Sequence, residues 1–248
     1  MPSKRVLILG GTRDARALAN ILVGLDFDVT TSFAGVTDNP VLPRGKIRLG
    51  GFGGVEGLSA YLTSEKFDHV VDATHPYATQ ISQHAFKACT LTGTPLLRIE
   101  REAWVAEPDD RWIFALDALV ARDLLPIGAR VMLTVGRKQV STFFERKDLG
   151  GVVRMIEAPD GQVPSLFALV LERPPYDLDG ELALMRVHAI QYLLCKNSGG
   201  PRAAKLDAAR QLGVPVIMLA RPATAHMASV ASVNAAVALL LGRTHATG

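Results

Sequence analysis

The chain has 248 residues, of which 48% are hydrophobic and 21% charged, and it carries a net charge of +3. This balance is typical of a globular protein that buries a core, and it excludes a disordered or fibrous chain. The weak positive charge is spread along the sequence, which argues against nucleic-acid binding and favours an anionic ligand of small or medium size.

Cys89 and Cys195 are the only cysteines, and neither belongs to a CxxC pattern or a cysteine–histidine cluster. We therefore expect no zinc site, no other protein-bound metal and no disulfide framework. The apolar run Val6–Leu9 is too short for a signal peptide, and no stretch reaches the roughly 18 apolar residues of a membrane span. These features predict a cytoplasmic protein with no membrane contact.

The first hundred residues alternate between short apolar runs and helical patterns. Predicted strands cover 6–9, 27–33, 46–49, 69–73 and 95–99, and predicted helices cover about 13–23, 55–64 and 77–91. Strands that alternate with helices indicate a parallel sheet joined by right-handed crossovers.

The rest of the chain repeats this alternation. We predict strands at 130–135, 152–156, 189–195 and 214–219, and helices at about 116–125, 139–146, 165–171, 180–187, 202–212 and 228–241. The fold class is therefore α/β, with two similar domains at 1–101 and 102–248. Two such halves predict a ligand cleft between them.

Gly10, Gly11 and Thr12 follow the first predicted strand and open the first helix. Such a turn lets backbone N–H groups bind a phosphate at the helix N-terminus, or it serves the fold alone, and the sequence leaves both open. The second strand ends in Thr30-Thr31-Ser32, without the acidic residue that often binds the ribose of NAD. If a dinucleotide binds here, the missing acid favours NADP.

A second glycine turn is the sharper local signal. It lies between a strand and a helix and contains Lys196, Asn197, Ser198, Gly199, Gly200 and Arg202, with Lys205 one turn into the helix. Backbone amides and cations together predict a phosphate site, and a well-capped helix start is the alternative. Replacing Arg202 and Lys205 with Ala is expected to raise the KM for a nucleotide cofactor without disturbing the fold.

Gly136 and Arg137 form a smaller turn of the same kind after the strand at 130–135, which could equally be a solvated helix start. His75 and Tyr77 follow a buried strand, at the end of a parallel strand where ligands usually bind. They are candidates for substrate contact or proton exchange, although a histidine beside a proline often has a structural role.

Several of these segments together resemble one family, the precorrin-6A reductases and their cobalt-precorrin-6A counterparts. The matching segments run in order along nearly the whole chain: 7–16 (LILGGTRDAR), 72–78 (DATHPYA), 98–104 (RIEREAW), 196–200 (KNSGG), 205–210 (KLDAAR) and 221–222 (RP). Asp14 departs from the family pattern, which has Glu there, and the change keeps the negative charge.

The resemblance implies two Rossmann-like domains with NADPH in the cleft, and reduction of one double bond of the tetrapyrrole precorrin-6A to give precorrin-6B in cobalamin biosynthesis. Hydride comes from the nicotinamide, and the protein holds the two reacting carbons together. Arg13, Arg16, Arg98 and Arg101 are then candidates to bind the substrate's carboxylates. His75 and Tyr77 become candidate catalytic helpers, and contacts with neighbouring pathway enzymes could channel the substrate.

Three alternatives stay open at this point. The substrate could be the cobalt-loaded form, since a metal carried by the substrate needs no protein ligand. A non-catalytic NADP-binding module would have the same phosphate turns and no turnover. A sugar-nucleotide enzyme would show a Tyr-x-x-x-Lys pair, which only Tyr192 and Lys196 satisfy, and Lys196 already belongs to the glycine turn.

Overall fold

The computed structural model describes residues 3–33, 41–223 and 227–242. The first hundred residues follow the predicted alternation. They contain β1 (Arg5–Leu9), α1 (Arg13–Gly24), β2 (Asp28–Phe33), β3 (Lys46–Leu49), α2 (Gly54–Glu65), β4 (His69–Asp72), α3 (Thr79–Thr92) and β5 (Leu96–Ile99).

The middle of the chain contains a second series of elements. These are β6 (Trp112–Ala115), α4 (Ala118–Asp123), β7 (Arg130–Thr134), α5 (Arg137–Phe144), β8 (Gly150–Met155), β9 (Phe167–Leu171), α6 (Leu178–Val187), β10 (Tyr192–Lys196), α7 (Ala204–Gln211) and β11 (Val216–Leu219). The last elements are β12 (Ser229–Val230) and α8 (Val233–Leu240).

The strands form two six-stranded sheets, with the orders β12-β5-β4-β1-β2-β3 and β6-β11-β10-β7-β8-β9. Every strand pairing is parallel. The predicted α/β class with two parallel sheets and flanking helices is thus confirmed. The chain divides into two compact units, Met1–Glu102 with Pro222–Gly248 (the first unit) and Ala103–Arg221 (the second unit).

The predicted extent of the C-terminal domain, 102–248, was wrong at its end, because the last segment belongs to the first unit. β12 pairs with β5, where the Arg98 amide donates to Ala228 and the Glu100 amide donates to Val230. Helix α8 buries Ala236 and Leu240 against α1. Backbone pairing and apolar burial together hold this segment in the first unit.

The two sheets share one strand order but differ in connectivity. In the first unit five strands, β1–β5, come from one continuous stretch and the sixth, β12, comes from the end of the chain, whereas all six strands of the second unit, β6–β11, lie in one continuous stretch. β6 follows β5 in sequence but pairs with β11, and β12 follows β11 but pairs with β5. The order 3-2-1-4-5-6 is that of dinucleotide-binding sheets, whose ligands bind where the strand order reverses, here between β1 and β4 and between β7 and β10.

β1 shows why the first sheet is covered on both faces. Val6 and Ile8 pack into one apolar cluster with α1 and α8, whereas Leu7 and Leu9 pack into another with α2 and α3. All four side chains are buried, as expected for a central parallel strand. The helices and sheet therefore fix the β1–α1 turn firmly at the carboxyl edge of the sheet.

Two element predictions in the rest of the chain were wrong. Residues 165–171 were predicted to be helical, but Phe167–Leu171 is the strand β9, paired with β8. A five-residue apolar run fits either period, and pairing with β8 decides it. The last helix was predicted to start at 228, but Ser229–Val230 is a strand and α8 begins at Val233.

Candidate functional site

The first glycine turn is fixed by its own side-chain and backbone bonds. Gly11 has a φ of +101°, a conformation that favours glycine, and a Cβ on Gly10 would lie 2.8 Å from the Thr31 side chain. The Thr12 hydroxyl accepts from the Ala15 amide (3.1 Å), capping α1, and donates to the Ala73 carbonyl (2.6 Å). Thr12 thus ties the turn after β1 to the end of β4, which is a fold role.

A cavity of about 390 Å³ opens at this turn, at the carboxyl ends of β1 to β4. Described residues that line it come from four segments: Leu9, Gly10, Gly11 and Ser32; Gly50, Gly51, Phe52, Gly53 and Gly54; Thr74, His75 and Ala78; and Gln80, Ile81 and His84. Of the predicted site residues, Gly10, Gly11 and His75 lie in this lining. The cavity occupies the reversal point between β1 and β4, where dinucleotide-binding sheets take their ligand.

The loop Gly50–Gly54 was missed as a site segment by sequence reasoning. Arg48 holds it, since its guanidinium donates to the Gly50 carbonyl (2.6 Å) and the Gly51 carbonyl (3.1 Å) and stacks 3.9 Å from the Phe52 ring centroid. Four glycines, two on either side of one aromatic ring, form a wall for a flat ligand. The glycine cluster after β3 was the available signal, but its place beside the β1 turn depends on the strand order.

The turn after β4 carries both predicted catalytic helpers. The Tyr77 amide donates to His75 Nδ1 (3.3 Å), and the two ring centroids lie 5.5 Å apart. Because Nδ1 accepts this bond, a neutral His75 carries its ring proton on Nε2. His75 lines the cavity, whereas Tyr77 lies outside its lining among the described residues.

Two arginines predicted to bind substrate are used inside the first unit instead. The Arg98 side chain is 1% exposed, with Nη1 2.5 Å from Asp72 Oδ2 and 2.6 Å from Ser82 Oγ. Arg101 Nε lies 2.5 Å from Asp14 Oδ2 on α1. The substrate-binding prediction is wrong for Arg98 because burial closes it to a large anion, and Arg101 is drawn to Asp14 in this structure.

The other two arginines lie in the first turn of α1, where Arg13 is exposed and Arg16 is half-buried. They lie next to the glycine turn that opens onto the cavity. Their role in substrate binding stays a prediction.

The glycine turn of the second unit is occupied with internal contacts. Asn197 accepts from the Trp104 amide (2.8 Å) and donates to the Trp104 carbonyl (2.9 Å), so that both ends of its side-chain amide are engaged. The Trp104 indole donates to the Gly200 carbonyl (3.0 Å), and Arg221 donates to the Asn197 carbonyl (2.8 Å). Asn197 therefore has a structural contact in place of the predicted phosphate contact. Ser198 and Gly199 stay predictions.

The cations around this turn differ in their engagement. The Arg202 guanidinium donates to both carboxylate oxygens of Asp110 (2.7 and 2.8 Å) and to Asp207 Oδ1 (2.7 Å). These carboxylates neutralise the positive charge of the guanidinium. Arg137 pairs with Glu157 (3.3 Å) and with the exposed Asp160 (2.8 Å). Two carboxylates hold the Arg202 guanidinium in this structure, and its predicted phosphate contact stays a prediction.

Two lysines lie near the reversal point of the second sheet. Lys205 donates to the Thr134 hydroxyl (2.9 Å) at the end of β7, and burial lowers the pKa of its ammonium group. Lys196 Nζ lies 3.4 Å from the position that a Cβ on Gly136 would take. Lys196, Lys205 and Gly136 therefore remain together as a second candidate anion site.

No helix among the described residues is long and apolar enough to cross a membrane.

The comparisons with known proteins agree with one another and cover nearly the whole chain. The family model described as "Precorrin-6x reductase CbiJ/CobK" matches residues 5–240. A precorrin-6A reductase of Mycobacterium tuberculosis is 44% identical over 242 residues, covering 96% of this chain and 98% of the relative. One of Rhodococcus erythropolis is 44% identical over 221 residues, covering 88% and 89%.

Some more distant relatives are named cobalt-precorrin-6A reductases. A cobalt-precorrin-6A reductase of Priestia megaterium is 28% identical over 234 residues, covering 88% of this chain and 90% of the relative. A solved structure titled "CobK precorrin-6A reductase" superposes with a TM-score of 0.91 at 39% identity, covering 97% of both chains.

Proposed function

The chain belongs to the precorrin-6x reductase family, and from that membership we propose that it reduces metal-free precorrin-6A with NADPH bound at the Gly10–Thr12 turn of the first unit. The family and its relatives make it an oxidoreductase of cobalamin biosynthesis with a tetrapyrrole substrate. The identity of the reductant, the residues that hold it and the metal state of the substrate belong to the proposal.

The cavity at the reversal point of the first sheet carries the cofactor proposal. A glycine turn at the start of a helix, on the central strand of a 3-2-1-4-5-6 sheet, is the arrangement that binds a dinucleotide pyrophosphate. Because Gly10 and Gly11 have no side chains, no side chain of these residues separates their backbone from the cavity. Phe52 and Ile81 add apolar surface for a flat ring, and about 390 Å³ accommodates the adenosine half of a dinucleotide.

The end of β2 favours NADPH over NADH. Ser32 lines the cavity at the position where NAD-binding sheets place an acidic residue on the ribose hydroxyls. A hydroxyl here does not repel a 2′-phosphate, whereas a carboxylate would. The residues present thus fit the phosphorylated cofactor.

When bound, NADPH supplies the hydride for the carbon–carbon double bond of the macrocycle. The residues of the chain bind, orient and shield the reacting groups. We assign the carboxylates of the substrate to Arg13 and Arg16, because both cations follow the glycine turn directly. His75 lines the cavity, and we assign to it the role of donating a hydrogen bond there.

The second unit supplies the alternative cofactor site. The second sheet has the same strand order as the first. Lys196 lies at the end of β10 and Lys205 lies in α7, and both are beside the point where that strand order reverses. Two ammonium groups suit a phosphate or a substrate carboxylate. It ranks second because Asn197 and Arg202 are engaged internally.

Filling the first cavity tests the cofactor site. Gly51 is exposed, its backbone is not left-handed, and a Cβ there meets no atom within 4 Å, so Gly51→Val adds a side chain at the cavity wall without a clash. We expect the KM for NADPH to rise at least about tenfold, equivalent to about 1.4 kcal/mol of lost binding. Steady-state kinetics, followed by NADPH absorbance with saturating precorrin-6A, measure it.

Gly24→Val is the matched control, since Gly24 also has an ordinary backbone and open space around a Cβ but lies at the end of α1. Its KM for NADPH is expected to be unchanged. If Gly51→Val leaves the KM for NADPH at the control's value and Lys205→Ala raises that KM, the cofactor binds in the second unit.

The metal state of the substrate is tested with the unaltered protein. We expect NADPH oxidation with metal-free precorrin-6A, because the relatives with that name are the more similar ones. Oxidation only with the cobalt form would reassign the substrate, and binding of NADPH without turnover of either would leave a nucleotide-binding module. A cytoplasmic location, where NADPH is supplied, and channelling contacts with neighbouring enzymes are further parts of the proposal.

A further inference from the structure

A buried arginine reaches both ends of the turn that follows β4. Arg98, on β5, places Nη1 2.5 Å from Asp72 Oδ2, and neither side chain is more than 1% exposed. The other oxygen, Asp72 Oδ1, accepts from the Thr74 hydroxyl (2.7 Å) and the Thr74 amide (3.1 Å). The carboxylate of Asp72 thus connects Arg98 to the start of the turn.

A second connection leads to the end of the same turn. Nη1 of Arg98 also donates to Ser82 Oγ (2.6 Å), and Ser82 Oγ donates in turn to the Ala78 carbonyl (3.2 Å). Thr74 and Ala78 both line the cavity. A single guanidinium nitrogen therefore holds the two ends of the Thr74–Ala78 turn through two different side chains.

The segment between these ends carries His75. Its cavity-facing place depends on the conformation of four peptide units, which include the Tyr77 amide bonded to His75 Nδ1 and the Ala78 amide bonded to the His75 carbonyl (2.8 Å). Two fixed ends limit how far such a short turn can move. Loss of either end would widen the range of positions of the imidazole.

Stability alone does not account for an ion pair at this place. A buried pair recovers little more than the cost of removing both charges from water, and apolar side chains of similar volume often stabilise a core as well. A short guanidinium–carboxylate bond does fix geometry, because it is directional and charge-assisted.

We propose that Arg98 is a positioning residue for the reductase reaction, which acts through Asp72 and Ser82 to anchor both ends of the Thr74–Ala78 turn and so to hold His75 at the cavity. The inference rests on the proposed function in one respect, namely that the cavity is part of the reaction site. Arg98 itself touches neither substrate nor cofactor.

The test removes these connections without leaving a buried charge alone: first the one through Ser82, then both together. Ser82→Ala removes the hydroxyl that links Arg98 to Ala78, while the backbone amide at position 82 still donates to the Ala78 carbonyl (3.3 Å) and the Arg98–Asp72 pair is kept. The double variant Arg98→Met with Asp72→Asn removes both charges and leaves an amide oxygen for Thr74. Ser59→Ala is the matched control, a helical serine of α2 whose hydroxyl has no hydrogen-bond partner among the described residues.

Two readouts are combined. Hydrogen exchange followed by mass spectrometry on the peptide that covers residues 74–82 is expected to speed up about tenfold in both test variants and not in the control. The kcat for precorrin-6A reduction is expected to fall about tenfold in both, with each KM within about threefold, because misplacement of an oriented group costs rate more than binding. Far-UV circular dichroism should stay unchanged.

The outcomes separate the inference from the proposed function. Exchange at the control's rate would show that the turn is not anchored by Arg98 and would overturn the inference. Faster exchange with unchanged kcat would also overturn it, since the anchoring would then serve the fold alone. If the unaltered protein did not oxidise NADPH with precorrin-6A, the proposed function would fail, and the exchange data would still decide whether Arg98 anchors the turn.

Discussion

At the scale of single residues, the two cysteines are buried in different units. Cys89 lies in the cluster of α2 and α3, and Cys195 lies on β10, fully buried, with its Sγ 3.6 Å from the sulfur of Met218. Burial raises the pKa of both thiols, that of Cys89 to about 12. Neither has the thiolate character of a reactive cysteine.

We therefore expect both thiols to resist alkylation in the folded protein. With a pKa of about 12, the thiolate fraction of Cys89 at pH 8 is on the order of one in ten thousand. Mass spectrometry after iodoacetamide treatment should show no adduct without denaturant and two adducts in guanidinium chloride. Rapid single alkylation of the native protein would show that one core opens readily.

The arginines show what residue identity can and cannot predict. Arg98 and Arg101 were predicted to bind substrate carboxylates, and their partners in the structure, Asp72 and Asp14, were not predicted. Arg98 is buried because β5 lies between β4 and β12, and β12 comes from about 130 residues further along the chain. Burial set by such distant strands is not present in the local pattern that the prediction used.

At the scale of elements, Arg202 joins the start of α7 to the segment before β6. Its guanidinium bonds Asp110, whose side chain is 1% exposed, and Asp207 in the first turn of α7. The sequence was interpreted as a phosphate site because cations at a helix start have both uses. The carboxylate ninety-two positions away supports the structural use.

Arg202→Ala should consequently destabilise the fold, contrary to the expectation drawn from the sequence. Removing Arg202 leaves the buried Asp110 carboxylate without its cation, although the Glu107 amide still donates to it (2.7 Å), and breaking such a pair costs about 3 kcal/mol. Urea denaturation should show this loss. Arg210→Ala, which removes a half-buried pair with Asp207 in the same helix, is the control and should cost about 1 kcal/mol or less. Equal losses would contradict the structural role of Arg202.

Element types were predictable wherever a long pattern met a clear turn. The β1–turn–α1 unit needs only Val6–Leu9, two glycines and a capping threonine, all of which are local. β9 failed because five apolar residues fit a helix or a strand until a neighbouring strand is known. The loop Gly50–Gly54 was visible as a glycine cluster, but its membership of the cavity follows from strand order alone.

At the scale of the whole molecule, the first unit depends on the last segment of the chain. Helix α8 contributes Ala236 and Leu240 to the apolar cluster of β1 and α1, and Lys4 Nζ donates to the Leu240 carbonyl (3.0 Å). The chain divides into two compact units, and the second begins at Ala103. The return of this segment was missed because a two-residue strand has no sequence signal of its own.

Leu240→Ala is therefore expected to destabilise the first unit by about 2–5 kcal/mol, as for other buried leucines. Hydrogen exchange should quicken in β1 and β5 and stay unchanged in β7 and β10. Leu239→Ala is the matched control in the same helix, because Leu239 is 43% exposed. Faster exchange confined to β7 and β10 would contradict the assignment of α8 to the first unit.

The late position of β12 in the chain also sets an order of events during synthesis. Ile99 leaves the ribosome about 130 residues before Ser229, so the edge of β5 waits on the order of ten seconds for its neighbour at about 5–20 residues per second. An uncovered strand edge is a template for pairing with other chains. A gene split after codon 102 would place β12 on a different product from β5, so the first sheet could be completed only when the two products met, whereas all six strands of the second sheet would lie on one product.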